Sequence, residues 1–185
     1  MEQEEMLDVV DEVGNPTGES MERTKMHQRG IRHRTSHVWI ARKKDGRVEL
    51  LLQKRCVNKD SYPGCYDISS AGHIPAGTDF YSSAVRELRE ELGVCIKQDQ
   101  LIECGNREFL VNAIFHGREF HDNQISKVFL LWLDLEEKDF AVQKEEIDEV
   151  RWFDFRECIS MVEKKTPLNC IFMEELNMLR RQISL

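Results

Sequence analysis

The stretch GHIPAGTDFYSSAVRELREELGV, residues 72–94, constrains this chain more than any other. In its second half Phe80, Ala84, Val85, Leu88 and Leu92 recur at helical spacing, as in an amphipathic helix packed on a core. The same segment places Glu87, Glu90 and Glu91 at offsets of three and four, which brings them back to one helical face. Like charges so placed repel by about 0.2–0.5 kcal/mol per pair. Such a face is either bathed in water or held against a cation. Thr78 or Asp79 suits the N-cap and Gly93 suits a left-handed C-terminus, so the spacing predicts a helix over residues 79–92. The loop before it, residues 72–77, holds two glycines and Pro75. With no side chain, Gly72 can bring its carbonyl close to an ion. Three carboxylates and a carbonyl are hard oxygen donors, suited to Mg²⁺ or Mn²⁺ rather than to a soft-ligand zinc site. The competing reading is a solvated acidic helix face.

The spacing resembles the Nudix box. Gly72, Arg86, Glu87, Leu88, Glu90, Glu91, Gly93 and Val94 all occupy positions of that motif. One position departs: Thr78 stands where the family has its first glutamate, with the acidic Asp79 immediately after it. The resemblance implies an α/β fold, the Nudix-type α/β/α sandwich with a mixed sheet, and a metal-dependent hydrolase acting on phosphoanhydride bonds. It implies Mg²⁺ or Mn²⁺ as cofactor, held by Gly72, Glu87, Glu90 and Glu91, with Glu90, Arg86 and Glu87 as the catalytic set. Arg86 is expected to orient the box carboxylates, since its forked donors suit paired carboxylates. The general base is Glu90 or a glutamate outside the box, Glu145 or Glu146, and the sequence does not choose between them. Nor does it give the number of ions.

Residues 32–40, 51–55 and 62–73, with the opening LDVVDEVGNPTGES, resemble the branch of this family related to isopentenyl-diphosphate isomerase. This likeness covers most of the first 95 residues. The isomerases use a cysteine just ahead of the Gly-His pair, and here that position is Ala71. A methyl group cannot exchange a proton. The isomerases also hold a metal through three histidines and two glutamates. His33 and His73 align with two of those histidines, and His27 stands near the third but offset by one. The acidic pair falls on Asp122 and Gln124, one carboxylate short. An incomplete second metal site is therefore expected, with His33, His37 and His73 in ordinary hydrogen-bonded packing. The resulting reading is a pyrophosphohydrolase cleaving a nucleoside diphosphate linked to another group, or a nucleoside di- or triphosphate. The alternatives are an isopentenyl-diphosphate isomerase-like enzyme and a non-catalytic nucleotide-binding Nudix module. Lys54 and Arg55 follow a strand and are candidates for a terminal phosphate, against a solvated strand end. Trp39 and Phe120 offer stacking surfaces, against plain core packing.

The remaining features set the class. The 185 residues fit one domain, residues 1–185, and 41% hydrophobic with 32% charged residues is ordinary for a soluble globular chain. A net charge of −8 and no dense Lys/Arg patch argue against a nucleic-acid surface. That field repels an anionic small-molecule substrate unless a cation neutralises it locally. The six cysteines form no Cys-x-x-Cys pair, and the N-terminus lacks signal-peptide character. No apolar run approaches about 18 residues. A reducing cytoplasm and no membrane partner follow as expectations, with a homodimer as a common arrangement for such enzymes. Strands are expected at residues 7–13, 38–42, 48–53, 67–70, 128–135 and 150–153, and one or two more within 101–115, broken near Asn112. Helices are expected at 156–164 and 168–183.

Overall fold

The structure is a computed structural model that describes residues 5–59, 61–115 and 117–183. In chain order its elements are β1 (Met6–Val10), β2 (Pro16–Glu22), α1 (Arg23–Arg29), β3 (His33–Lys44), β4 (Arg47–Arg55), β5 (Tyr66–Asp67), β6 (Ser70–His73), α2 (Phe80–Leu92), β7 (Ile102–Phe115), β8 (Arg118–Trp132), β9 (Ile147–Asp154), α3 (Phe155–Lys164) and α4 (Met173–Ile183). β1 and β2 form a separate antiparallel hairpin, and the other seven strands form one mixed sheet. Its centre is the parallel pair β3–β8, in register from His33↔Gln124 to Ala41↔Trp132. β3 also pairs antiparallel with β4 and β6, β4 with β5 and β9, and β8 with β7.

Alternation along β3 divides the core in two. Val38 and Ile40, with Leu51, Phe129 and Leu131, pack on Ala84, Leu88 and Leu92 of α2. Trp39 and Ala41, with Leu50, Leu52, Val128, Leu130 and Phe153, pack on Cys158 and Met161 of α3 and Leu176 and Leu179 of α4. Helices therefore cover both faces of a mixed sheet, which is the expected α/β/α sandwich. Among the described residues no helix is long and apolar enough to cross a membrane.

Several boundaries differ from the sequence expectation, each for a local reason. β1 stops at Val10 because the Asp11 carboxylate accepts from the backbone of Val13 and Asn15 and folds the chain into a turn. α1 was not anticipated, since it buries only Met26. β7 passes through Asn112 unbroken, and its irregularity falls between Glu103 and Gly105. β8 begins ten residues ahead of its apolar run, because pairing with β7 continues out to Phe115↔Arg118. α4 begins at Met173. The residues before it run beside β5 instead, with Tyr66 N donating to Leu168 O and Cys170 N to Tyr66 O, both at 2.9 Å.

One buried polar cluster ties α4 to the sheet. Glu175, 1% exposed, accepts from His37 Nδ1 at 2.8 Å, Trp39 Nε1 at 2.7 Å and Arg107 Nη1 at 2.7 Å. Trp39 is thus core, and His37 is in hydrogen-bonded packing. Burial alone would raise the Glu175 pKa, but the His37 and Arg107 charges and these hydrogen bonds hold it at about 2. The stabilisation this carboxylate gives is complete above pH 4.5 and fades as the pH falls towards 2. Glu175→Ala leaves the buried Arg107 guanidinium with only the more distant, exposed Glu174 at 3.6 Å, and urea unfolding at neutral pH is expected to show a loss of about 3 kcal/mol.

Candidate functional site

β6 places the site. Its antiparallel register with β3 sets Ser70 opposite Val38, Ala71 opposite His37, Gly72 opposite Ser36 and His73 opposite Thr35. Cross-strand partners share a face. Ser70 and Gly72 therefore point to the α2 side, and Ala71 and His73 to the α4 side.

On the α2 side the helix brings its carboxylates down onto these two residues. Asp79 caps it, its side chain accepting from Tyr81 N and Ser82 N at 2.9 Å. Gly93 ends it at φ 69°, where an added Cβ would meet Ala141 Cβ at 2.7 Å. Glu91 is 7% exposed and accepts from Ser70 Oγ at 2.5 Å. Burial pushes its pKa up to about 8, only partly countered by Ser70 and reinforced by the Glu87 charge. Glu87 lies against Gly72 so closely that a Cβ there would stand 2.2 Å from its carboxyl carbon. Burial raises Glu87 to about 7, against the pull of Arg86 and with the push of Glu90. Glu90 is exposed on the outer side. Arg86 spans the set, donating to Glu87 Oε1 at 2.5 Å, Glu90 Oε2 at 3.1 Å and His73 O at 3.4 Å. Arg86, Glu87, Glu90 and Gly72 thus converge, and Glu91 lies one turn on, held by Ser70. A buried and a half-buried carboxylate, both with raised pKa values, fit a hard divalent cation.

The loop ahead of the helix is ordered without the missing glutamate. Thr78 Oγ1 donates to Pro75 O at 2.7 Å. Asp8 of β1 accepts from Gly77 N at 3.0 Å and from Arg34 at 2.8 Å, and Arg34 also donates to Thr78 O at 3.0 Å. Asp79 is the cap rather than a substitute acid. Asp8 carried no signal in the sequence, because its partners lie 26 and 69 positions away.

The structure separates the two loop glutamates. Glu145 is exposed. Glu146 is paired with Lys59 and is among the charges acting on Glu91. Their loop is fastened to the end of α2 through Gln143 N to Glu91 O at 2.9 Å. The two basic candidates also part company. Lys54 alternates with Leu50 and Leu52, so it lies on the α3–α4 side, 3.9 Å from Glu149. Arg55 donates to Ser61 O at 2.9 and 3.1 Å and to Asp67 Oδ2 at 3.1 Å, which fixes the loop between β4 and β5.

On the α4 side a second cluster forms. The ring nitrogens of His27, His33 and His73 lie within 4.8 Å of one another. The one-residue offset of His27 vanishes, because α1 carries it over the sheet to meet the other two. His33 Nε2 is 3.6 Å and His27 Nε2 3.9 Å from Asp122 Oδ1. His33 Nε2 and Asp122 Oδ1 are buried without a hydrogen-bond partner. Burial lowers His27 to about 3 and His33 to about 4, and pushes His73 well down. It raises Asp122 to about 6, against the Gln124 hydrogen bond. Phe120 stacks on His27 with ring centroids 5.0 Å apart.

The Nudix domain profile matches residues 31–173, which takes in β3 through the first residue of α4 and the whole acidic helix. The chain belongs to the Nudix domain family. It is 38% identical over 166 residues to Nudix hydrolase 3 of Arabidopsis thaliana, covering 89% of this chain but only 21% of that protein. It is 32% identical over 145 residues to an uncharacterized Nudix hydrolase of Clostridium acetobutylicum, covering 78% of this chain and 68% of that one. A crystal structure from Deinococcus radiodurans superposes with a TM-score of 0.67 at 19% identity, over 96% of this chain and 98% of that one, which shows a shared fold. The Nudix fold expected from the box is thereby established.

The raised Nudix-box carboxylates are directly measurable. Carboxyl-carbon NMR of the metal-free protein is expected to show two glutamates titrating near pH 7 and 8, Glu87 and Glu91. Both folded values lie above the ordinary 4.5, so the stability they confer is complete below that pH and is lost as the pH rises through 7 and 8. Glu87→Gln should remove the lower titration and move the upper one down, since a neighbouring negative charge is gone. Glutamates that all titrate between about pH 4 and 5 would show that the carboxylates are not buried together.

Proposed function

We propose that this protein is a metal-dependent Nudix pyrophosphohydrolase. Its substrate class is a nucleoside diphosphate linked to another group, or a nucleoside di- or triphosphate. The enzyme class follows from family membership, since the relatives bear the name Nudix hydrolase. The observation that carries the reading is the pair of raised carboxylates, half-buried Glu87 against the bare backbone of Gly72 and buried Glu91 on Ser70, with Glu90 joined to Glu87 through Arg86. We take residues 1–185 as one Nudix domain, in keeping with its single two-sided core.

In this reading Glu87, Glu90, Glu91 and the Gly72 carbonyl hold Mg²⁺ or Mn²⁺. When bound, such a cation neutralises charge developing on the phosphates and makes a water more acidic. Arg86 keeps the Glu87 and Glu90 carboxylates together. Glu146 accepts the proton of the attacking water, a role its place beside Glu91 supports better than the exposed position of Glu145 does. Lys54 lies on the α3–α4 face, across the sheet from these carboxylates and beside Glu149, and is not assigned a phosphate. Arg55 supports that region by holding Ser61 and Asp67 rather than by meeting substrate. Isomerase chemistry is disfavoured because Ala71, on the α4 side beside the histidines, offers no exchangeable proton.

Incubation with Mg²⁺ and a panel of nucleotides, dinucleotide cofactors and sugar nucleotides tests the reading, with formation of the nucleoside monophosphate as readout. Glu146→Gln is expected to lower kcat by about 10²–10⁴-fold, while Glu145→Gln has little effect. Activity unchanged in both Glu90→Gln and Glu91→Gln would remove the box from the mechanism.

A second metal centre is favoured by one specific observation, the orphaned His33 Nε2 and Asp122 Oδ1 facing each other. Three neutral imidazoles and a carboxylate suit a borderline transition metal better than Mg²⁺. Elemental analysis of protein purified without chelator is expected to find such a metal, and His33→Asn with His73→Asn to abolish it while the fold persists by circular dichroism. A wild type free of transition metal even after incubation with Mn²⁺ or Zn²⁺ would refute this second centre.

A further inference from the structure

Two thiols meet where distant stretches of chain run side by side. The loop between β4 and β5 returns at Cys65, whose carbonyl accepts from Arg55 N at 2.9 Å. The segment ahead of α4 lies along β5 through the Tyr66–Leu168 and Cys170–Tyr66 hydrogen bonds. This arrangement sets the Cys65 and Cys170 thiols against each other, with Cys170 Sγ 3.6 Å from Tyr66 O. All six cysteines are free thiols. Cys95 is exposed, and burial raises Cys104 to about 11 and Cys158 further still. Cys65 differs from these. The hydrogen bond from Cys170 lowers it to about 7, against its burial and the Asp67 charge and with help from the Arg55 guanidinium. A thiolate is the reactive form of cysteine, and a second thiol in contact can resolve its first oxidation product.

We propose that Cys65 and Cys170 form a reversible disulfide when the protein meets hydrogen peroxide, stapling the β4–β5 loop to the segment in front of α4. The Cys65 thiolate attacks one peroxide oxygen and the O–O bond breaks. Cys65 becomes a sulfenic acid, and the departing hydroxide takes a proton to leave as water. The Cys170 sulfur then gives up its proton and attacks the Cys65 sulfur. The S–S bond forms as the S–O bond breaks, and a second water leaves. The two sulfurs together lose two electrons, and the peroxide gains them.

The staple falls at a place where it can be felt at the site. The stapled loop carries Lys59, the partner of Glu146. It also carries Tyr62, which is held at φ 49°. The Tyr62 ring packs on Phe115 of the β7–β8 hairpin at 4.9 Å, and its hydroxyl is within the influence of Cys65, Cys170 and Asp122. A covalent link between residues so far apart in sequence also restricts the unfolded chain.

The full-length protein, carrying Cys95→Ser to suppress coupling between molecules, is titrated with hydrogen peroxide. The expected product is lighter by about 2 Da, the two hydrogens of a dithiol oxidised to a disulfide. Peptide mapping should join Cys65 to Cys170, dithiothreitol should reverse the link, and the oxidised form should melt higher and exchange amide hydrogens more slowly across residues 57–64. Cys65→Ser and Cys170→Ser, each folded by circular dichroism, should both lose this product. Oxidation that only adds oxygen to these thiols, a link joining other cysteines, or no reaction at peroxide levels that oxidise Cys95 in the wild type would overturn the proposal.

Discussion

At Gly72 the sheet offers α2 a strip of backbone with no side chain, and the Glu87 carboxylate lies in the space a Cβ would fill. Magnitudes explain why the acids stay there. Ala84, Leu88 and Leu92 are fully buried under the helix. Burying each leucine is worth about 1.5–3 kcal/mol, whereas repulsion between carboxylates one turn apart is worth a few tenths. The apolar stripe therefore decides how the helix docks, and the acidic face must follow. Glu91 ends beneath the sheet with one hydroxyl as partner, and Glu87 against bare backbone. Their raised pKa values record that mismatch, and a divalent cation is the simplest group that would relieve it.

The four residues of β6 serve both layers. Ser70 and Gly72 line the proposed Mg²⁺ or Mn²⁺ site on the α2 side, while Ala71 and His73 face α4, where His73 joins His27, His33 and Asp122. A shift of one residue in the β3–β6 register would exchange these sets and dismantle both clusters at once. The register is held by the backbone ladder and by Ser69, which donates to Leu51 O at 2.6 Å and accepts from Ile40 N at 2.8 Å.

Local chemistry was readable in the sequence, and long-range chemistry was not. The helix, its Asp79 cap and its Gly93 terminus all lie within fifteen residues, so spacing alone exposed them. The apolar runs of β3, β4 and β8 marked the sheet for the same reason. His27 looked misplaced because a linear alignment counts residues, whereas α1 rotates its side chain into reach of His33 and His73. Glu146 could not be told from Glu145 until the loop was seen fastened to the end of α2. Lys54 and Arg55 are neighbours in sequence, yet alternation along β4 sends Lys54 to the α3–α4 side, and Arg55 is taken up by Ser61 and Asp67. The polar first half of β8 carried no strand signal because its partner β7, not its own composition, extends it.

The central claim is that Glu87 and Glu91 form one cation site, and calorimetric titration of the metal-free protein with Mg²⁺ in buffers of different ionisation enthalpy tests it most directly. At pH 7 the Glu91 carboxyl is largely protonated and the Glu87 carboxyl about half protonated, so binding should release between about one and two protons per chain, and Glu91→Gln should reduce that number. Mg²⁺ that fails to bind, or binds without displacing protons, would contradict the site.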